Sequence, residues 1–335
     1  MKSLIKKLTA ITGPSGYETN IRQVIRQEIE PIAAKNEWQI RVDALGNLII
    51  STPPPKSDGA KIMLVAHMDE IGLMVTHVDD NGFARFTTIG GVRPLNCVGG
   101  HVRFLNGAAG VIGQENINQP NIAPTIEQMF IDLGFTSKTE MPIKVGDVAA
   151  FERPAIDLGK RMVAKAMDDR VGVAVMIEAM RRIKSTVNQI FFVFSAQEEV
   201  GVRGATTAAF GIEPDIGLAM DVTRTGDTPK GVKMEVWLGK GPAIKVRDSG
   251  MLADPRVVDI MVSTSNQLKI PYQMEVLESG GTDARAIQLS RAGVPAGCLS
   301  IPCRYIHSPS EMIDIDDVNH TLRLITALLQ KPISF

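Results

Sequence analysis

An apolar run from Ile190 to Phe194 leads directly into two adjacent carboxylates, Glu198 and Glu199, and then Gly201. By composition the run is a buried strand, and it needs other elements on both faces. A core strand that delivers Glu-Glu at its carboxyl end puts charge where open α/β sheets keep their binding crevices. Two carboxylates side by side in such a place are costly unless a metal or a proton compensates.

The surrounding chain fits that sheet. Leu4, Ile5, Leu8 and Ile11 recur at helical spacing before Gly13-Pro14-Ser15-Gly16 stops the helix, and Ile21, Val24, Ile25 and Ile29 mark a second. Trp38 to Val42 and Leu48 to Ile50 read as two strands joined by a turn at 44–47, and Ile62 to Ala66 as a short apolar strand ending in His67-Met68-Asp69. From Ile71 to about Val163 the texture changes to dense glycine and short alternating runs, the pattern of a small barrel or sandwich. Ile126, Met129, Phe130 and Leu133 suggest one helix inside it. Helix–strand alternation resumes at Met162, with strands predicted at 215–220, 272–276 and 295–301 and helices at 171–183, around Val257 to Leu268, at 282–291 and around Val318 to Leu329. The simplest arrangement is one α/β domain made from both ends of the chain, residues 1–68 and 164–335, with a β-rich domain at 69–163 inserted.

Composition excludes several classes of partner. Lys+Arg is 36 and Asp+Glu 37, so no global field attracts nucleic acid or an anionic membrane. No apolar segment is long enough to span a bilayer. The three cysteines, Cys97, Cys298 and Cys303, are an odd number in a long chain and suit a reducing, cytoplasmic compartment. Cys303 lies near His307 but reads as packing.

Five segments each bring a metal-ligating side chain to a strand end or loop: His67 with Asp69, Asp168 with Asp169, Glu198 with Glu199, Asp221, and His307. Singly, Asp168-Asp169 is an N-cap pair, Asp221 a turn residue and His307 a loop histidine. His67 and Asp69 say more, because alternate residues of an extended segment face the same way and the carboxylate can fix the histidine's tautomer. Together, two histidines and several carboxylates suit a dinuclear site for ions such as Zn²⁺ or Co²⁺ that share an activated water. Adjacent Glu198 and Glu199 diverge, so they suit two different jobs. The chain has no His-Glu-x-x-His helix, which excludes a thermolysin-like centre.

The segments VAHMDEIGLMV, AKAMDDRVG, SAQEEVGVRGA, AMDVT, SGGTDA and IPCRYIHSPSEM, in that order along essentially the whole chain, resemble those of the tetrahedral (TET-type) dinuclear metalloaminopeptidases. That family includes glutamyl and leucyl aminopeptidases and members once labelled endoglucanase. The resemblance implies a mixed-sheet catalytic domain sandwiched by helices, similar to zinc exopeptidases, and an inserted β-rich barrel used for dimerisation. Its dimers assemble into a hollow dodecamer. It implies that His67 and Asp221 bind one metal, that Glu199 and His307 bind the other, and that Asp168 bridges them. Glu198 would be the general base that takes a proton from the bridging water and hands it to the leaving amine, and Asp69 would orient His67. The Asp168-Asp169 peptide is expected to be cis.

The implied reaction is hydrolysis of the N-terminal peptide bond of peptide substrates, with the free α-amine held by a metal or a nearby carboxylate. A related metal-dependent amide hydrolase or deacylase is the nearest alternative. A glycoside hydrolase needs only two carboxyl groups facing across one sugar bond and leaves His67, Asp168, Asp221 and His307 unexplained. A scaffold that keeps only the fold leaves the clustered charge without a purpose. Two further features are open on sequence. Gly280-Gly281-Thr282-Asp283 either lines the substrate cleft or is a glycine turn capping the next helix. Arg170 either pairs with a carboxylate behind the site or makes a structural salt bridge.

Overall fold

The computed structural model describes residues 1–56, 58–116 and 124–333. Helices α1 (Lys2–Thr9) and α2 (Thr19–Asn36) precede a hairpin of β1 (Gln39–Val42) and β2 (Leu48–Ser51), and β3 (Lys61–His67) follows. The hairpin turn is set by Asp43, whose Oδ1 accepts the backbone N–H groups of Leu45, Gly46 and Asn47.

The chain then builds a closed antiparallel barrel from β4 (Gly72–Val78), β5 (Phe83–Ile89), β6 (His101–Phe104), β7 (Ala109–Gln114), β8 (Met129–Asp132) and β9 (Val148–Phe151), closing in the order β4-β5-β8-β7-β6-β9. Val75, Phe86, Val102, Phe104, Ile112 and Ile131 fill it. The expected helix at 126–133 is not there. A 3₁₀ turn, Ile126–Gln128, closed by reciprocal bonds between Thr125 and Gln128, gives way to β8. Met129 and Ile131 point inward and Asp132 outward, so the same apolar residues satisfy a period of two.

Past the barrel come β10 (Ile156–Asp157), β11 (Arg161–Ala164), α3 (Met167–Arg182), β12 (Gln189–Ser195), α4 (Arg203–Ile212) and β13 (Ile216–Thr223). The chain ends with β14 (Ala243–Arg247), α5 (Pro255–Leu268), β15 (Gln273–Val276), α6 (Ala284–Gln288), β16 (Ala296–Arg304), β17 (Glu311–Asp314) and α7 (Ile315–Gln330). Helix α6 is shorter than the sequence suggested, and neither β14 nor β17 was singled out. These strands and β1–β3 form one mixed sheet of 11 strands in the order β1-β2-β12-β3-β13-β16-β17-β11-β10, with β14 on β16 and β15 on β14.

Strands β12, β3, β13 and β16 run parallel through the middle. Alternate side chains divide between two cores. Ile62, Leu64 and Ala66 of β3 pack with Val173, Ile177 and Leu322 on one face. Met63 and Val65 pack with Ala205, Ala208 and Ile287 on the other. Being covered on both faces is what makes these strands continuously apolar up to their carboxyl ends. Their register then fixes where the charges fall. Ser195 pairs with His67, and Ala219 of β13 pairs with Val65, so continuing that register sets Asp221 level with His67. Among the described residues no helix is long and apolar enough to cross a membrane.

Candidate metal centre

His67 ends β3 with 2% exposure. Its Nε2 lies 2.9 Å from Asp168 Oδ1, and its Nδ1 faces Asp69 Oδ1 at 3.4 Å. Asp69 is a hub as well as a partner for the ring. Its carboxylate accepts Ser15 Oγ–H at 2.6 Å and the backbone N–H groups of Glu198 and Glu199 at 3.0 and 3.2 Å. The loop after β12 is therefore hung on the residue that orients His67. Gln197, left-handed at φ 58°, donates its own N–H to buried Glu18.

Asp168 stands at the start of α3, where Ala166 is left-handed and the Asp168–Asp169 peptide is cis, as the resemblance implies. The Asp168 N–H donates to Glu311 Oε2 at 2.9 Å, and the His307 N–H donates to Glu311 Oε1 at 2.8 Å. Glu311 thus clamps two candidate ligands through their backbones. Sequence reasoning assigned it no role, although it lies within the IHSPSEM segment, four residues after His307.

His307 Nε2 lies 3.1 Å from Glu199 Oε2 and 3.3 Å from Asp168 Oδ2. Its far nitrogen, Nδ1, meets the carbonyl oxygen of Gly91 at 3.1 Å, which leaves Nε2 as the nitrogen that could ligate a metal. Gly91 belongs to the barrel's loop after β5, and a Cβ there would stand 2.4 Å from the imidazole Nδ1. From the same loop Asn96 Nδ2 donates to the His307 carbonyl at 3.0 Å.

Ligand atoms of His67, Asp168 and Asp221 lie within 4.8 Å of one another, and so do those of Asp168, Glu199 and His307. Asp168 is common to both groups. Glu198 belongs to neither, but lines the cleft that opens above them together with Asp221, Glu199 and His307.

Electrostatics describes a site short of positive charge. Burial alone would lower the His67 pKa, but its bonds to Asp168 and Asp69 outweigh burial and hold it well above the ordinary value. His307 is likewise raised to about 11, Asp168 and Glu199 overcoming desolvation. Asp168, desolvated but bonded to both rings, is depressed. The other acids move the opposite way. Desolvation, reinforced by Asp168, pushes Asp221 well up. Desolvation, with Asp221, Asp283 and Glu199 adding repulsion, does the same to Glu198, and desolvation also raises Asp169 and Glu199. Asp169 Oδ2 is buried with no partner. Oxygen and imidazole donors crowded this way suit borderline divalent cations.

The flanking residues divide. Gly280 and Gly281 line the cleft, whereas Thr282 Oγ1 accepts the Ala284 N–H and Asp283 turns inward to Ser195 Oγ, so both readings of that segment hold in part. Arg170 is fully buried behind the site. It donates to the carbonyls of Leu8 and Ile11 and lies 3.7 Å from Glu70, which Lys165 grips at 2.7 Å. That cluster is structural, and it braces the segment carrying His67 and Asp69 from below. Cys97, Cys298 and Cys303 are all free and buried.

Comparison with known proteins identifies the family. The family model of the M42 glutamyl aminopeptidases matches residues 46–324. A putative aminopeptidase of Acetivibrio thermocellus is 45% identical over 97% of both chains. A lysyl aminopeptidase of Pyrococcus furiosus is 34% identical over 99% of this chain and 98% of its own. The Pyrococcus horikoshii TET1 peptidase, described as assembling into a tetrahedron or a large octahedral shell, superposes with a TM-score of 0.86 at 32% identity, covering 98% of this chain and 99% of that one. On these grounds the chain belongs to the M42 glutamyl aminopeptidase family of peptide hydrolases.

Proposed function

We propose that the chain is an aminopeptidase dependent on two divalent cations, Zn²⁺ or Co²⁺, that removes N-terminal residues from peptides. His67 and Asp221 would hold one ion, Glu199 and His307 the other, and Asp168 both. The observation that carries this reading is the sharing of Asp168 between two groups of ligand atoms, each within 4.8 Å. The raised pKa values of Asp221, Glu198 and Glu199 support it, since so many buried acids need positive charge to stay ionised. Divalent ions at such a site polarise a carbonyl and make water acidic enough to give up a proton near neutral pH.

Glu198 is our candidate for the proton carrier. It borders the cleft beside the ligand groups without joining either, so its carboxylate is free to take a proton from the attacking water and return it to the leaving amine. Asp69 fixes the His67 ring and, through two N–H bonds, the backbone that presents Glu198 and Glu199. We extend the reading to the whole molecule. Residues 1–68 and 164–335, with β10 and β11 joined to their sheet, form the catalytic domain, and the barrel strands β4–β9 within 69–163 form an inserted unit that pairs subunits. Dimers then build a dodecamer, in keeping with the tetrahedral assembly named for the TET1 relative. Three free, buried cysteines suit the cytoplasm.

The test is Glu198→Gln with Zn²⁺ or Co²⁺ supplied. Metal content by elemental analysis should match wild type, while turnover of aminoacyl-anilides falls about 10²–10⁴-fold. Turnover at the wild-type rate would remove Glu198 as the base. Wild-type activity that survives a chelator would remove the metals.

A further inference from the structure

The cleft is lined by charge of both signs. Asp168, Glu198, Glu199 and Asp221 supply the acids. Three residues beyond Asp221, half-buried Arg224 stands in the wall, and its Nη1 donates to Ser279 Oγ at 3.3 Å. Arg285 lines the same wall from α6. Exposed Arg93 belongs to the barrel loop that also carries Gly91 and Asn96. Desolvation, with added repulsion from Arg93, makes Arg224 a weaker base than an ordinary guanidinium.

Some arginines elsewhere in the chain have carboxylate partners: Arg103 has Glu152, Arg304 has Asp227 and Arg291 has Glu213. Among the described residues no carboxylate lies within ion-pair distance of Arg224, Arg285 or Arg93. A guanidinium held partly out of water and repelled by another cation is costly until an anion arrives. Its planar fork matches a carboxylate with two parallel N–H bonds. Val202, Leu277 and Ile306 line the intervening walls and suit the methylenes or backbone that separate an ammonium from a carboxylate.

We propose that Arg224, flanked by Arg285 and Arg93, binds a carboxylate of the peptide substrate and so selects among N-termini or peptide lengths. This rests on the aminopeptidase reading of the same cleft and deepens it. Two sources offer that chemistry: the side chain of an N-terminal Glu or Asp, and the α-carboxylate of a very short peptide. The name of the family and that of its lysyl member point in opposite directions on charge, and the wall of this cleft takes the side of the anion.

The experiment uses the metal-loaded enzyme and two ratios of kcat/KM. Glu-anilide against Leu-anilide reads the side-chain source, because neither has a peptide carboxylate. The dipeptide Leu-Ala against Leu-Ala-amide reads the C-terminal source. We expect one ratio to exceed about tenfold in wild type, to collapse toward one in Arg224→Gln, and to be partly kept in Arg224→Lys. Arg285→Gln, at an exposed helical position, should lower the same ratio by less, and it serves as the test if Arg224 variants do not fold. Both ratios near one in wild type, or a ratio indifferent to Arg224 and Arg285, would overturn the proposal and leave the peptidase reading standing. Cleavage of none of the four substrates would overturn both.

Discussion

His67 and His307 reach the same carboxylate, Asp168, with different kinds of support. His67 is the last residue of a central parallel strand, 2% exposed, backed by Asp69, which is itself held by Ser15 and two backbone N–H groups. His307 sits on a loop, left-handed at φ 62°, with 24% of its side chain exposed. Its supports are a carbonyl oxygen and an amide from the barrel, together with the Glu311 clamp. One half of the centre is an extension of the sheet's core. The other is assembled at the seam between sheet and barrel, so its geometry depends on how the two are docked.

The widest consequence concerns Asp168, which serves both halves. Asp168→Ala should empty both of the proposed ion sites by elemental analysis and cost more than about 100-fold in activity, above the 10–100-fold loss typical of residues that only orient a ligand. Retention of one full equivalent of metal would mean that the halves are independent.

Next comes the deep half alone. Asp69→Ala removes the orienting partner of His67 and leaves two N–H groups of the 198–199 loop without an acceptor, so metal affinity should fall about 10–100-fold. The matching change in the seam is Asn96→Ala, which removes a single neutral bond to the His307 backbone and should cost about tenfold or less. In a Co²⁺-loaded protein the visible bands of only one ion should shift. The contrast between the halves fails if titration calorimetry finds Asn96→Ala as damaging as Asp69→Ala.

The same contrast explains what could be seen in the sequence. His67, Glu198, Glu199 and Asp221 were legible because each follows an apolar run, and a run buried on both faces announces where its strand ends. The barrel was legible as a texture of glycine and turns. Nothing local announces that Gly91 must lie against an imidazole more than 200 residues away, that Asn96 caps that loop, or that Glu311 clamps two backbones. Those are long-range polar contacts with no periodicity. The stretch 126–133 failed for a different reason: its apolar residues fit periods of both two and 3.6, and pairing with β5 and β7 decided between them. Resemblance to a family supplied roles for the ligands, but not the residues that hold the ligands in place.

The smallest effect separates buried acids of the centre from one outside it. Asp317, on α7, is fully buried and accepts the N–H groups of Gly239 and Gly241. Desolvation lifts its pKa to about 7 against the two hydrogen bonds. Unfolded, it would titrate near 3.9. Between these values the folded protein binds the extra proton, so the stability from this group is intact below about pH 4 and is lost as pH rises through about 7. Asp317→Asn removes that slope. The difference in melting temperature between wild type and variant should therefore change across pH 4–7 and level off above it. Because Asp317 is in neither ligand group, the difference should be the same with and without metal, whereas the acids around Asp168 should respond to metal strongly. A metal-dependent Asp317 slope would show that α7 and the centre titrate as one unit, and the distinction between the two sets of buried acids would go.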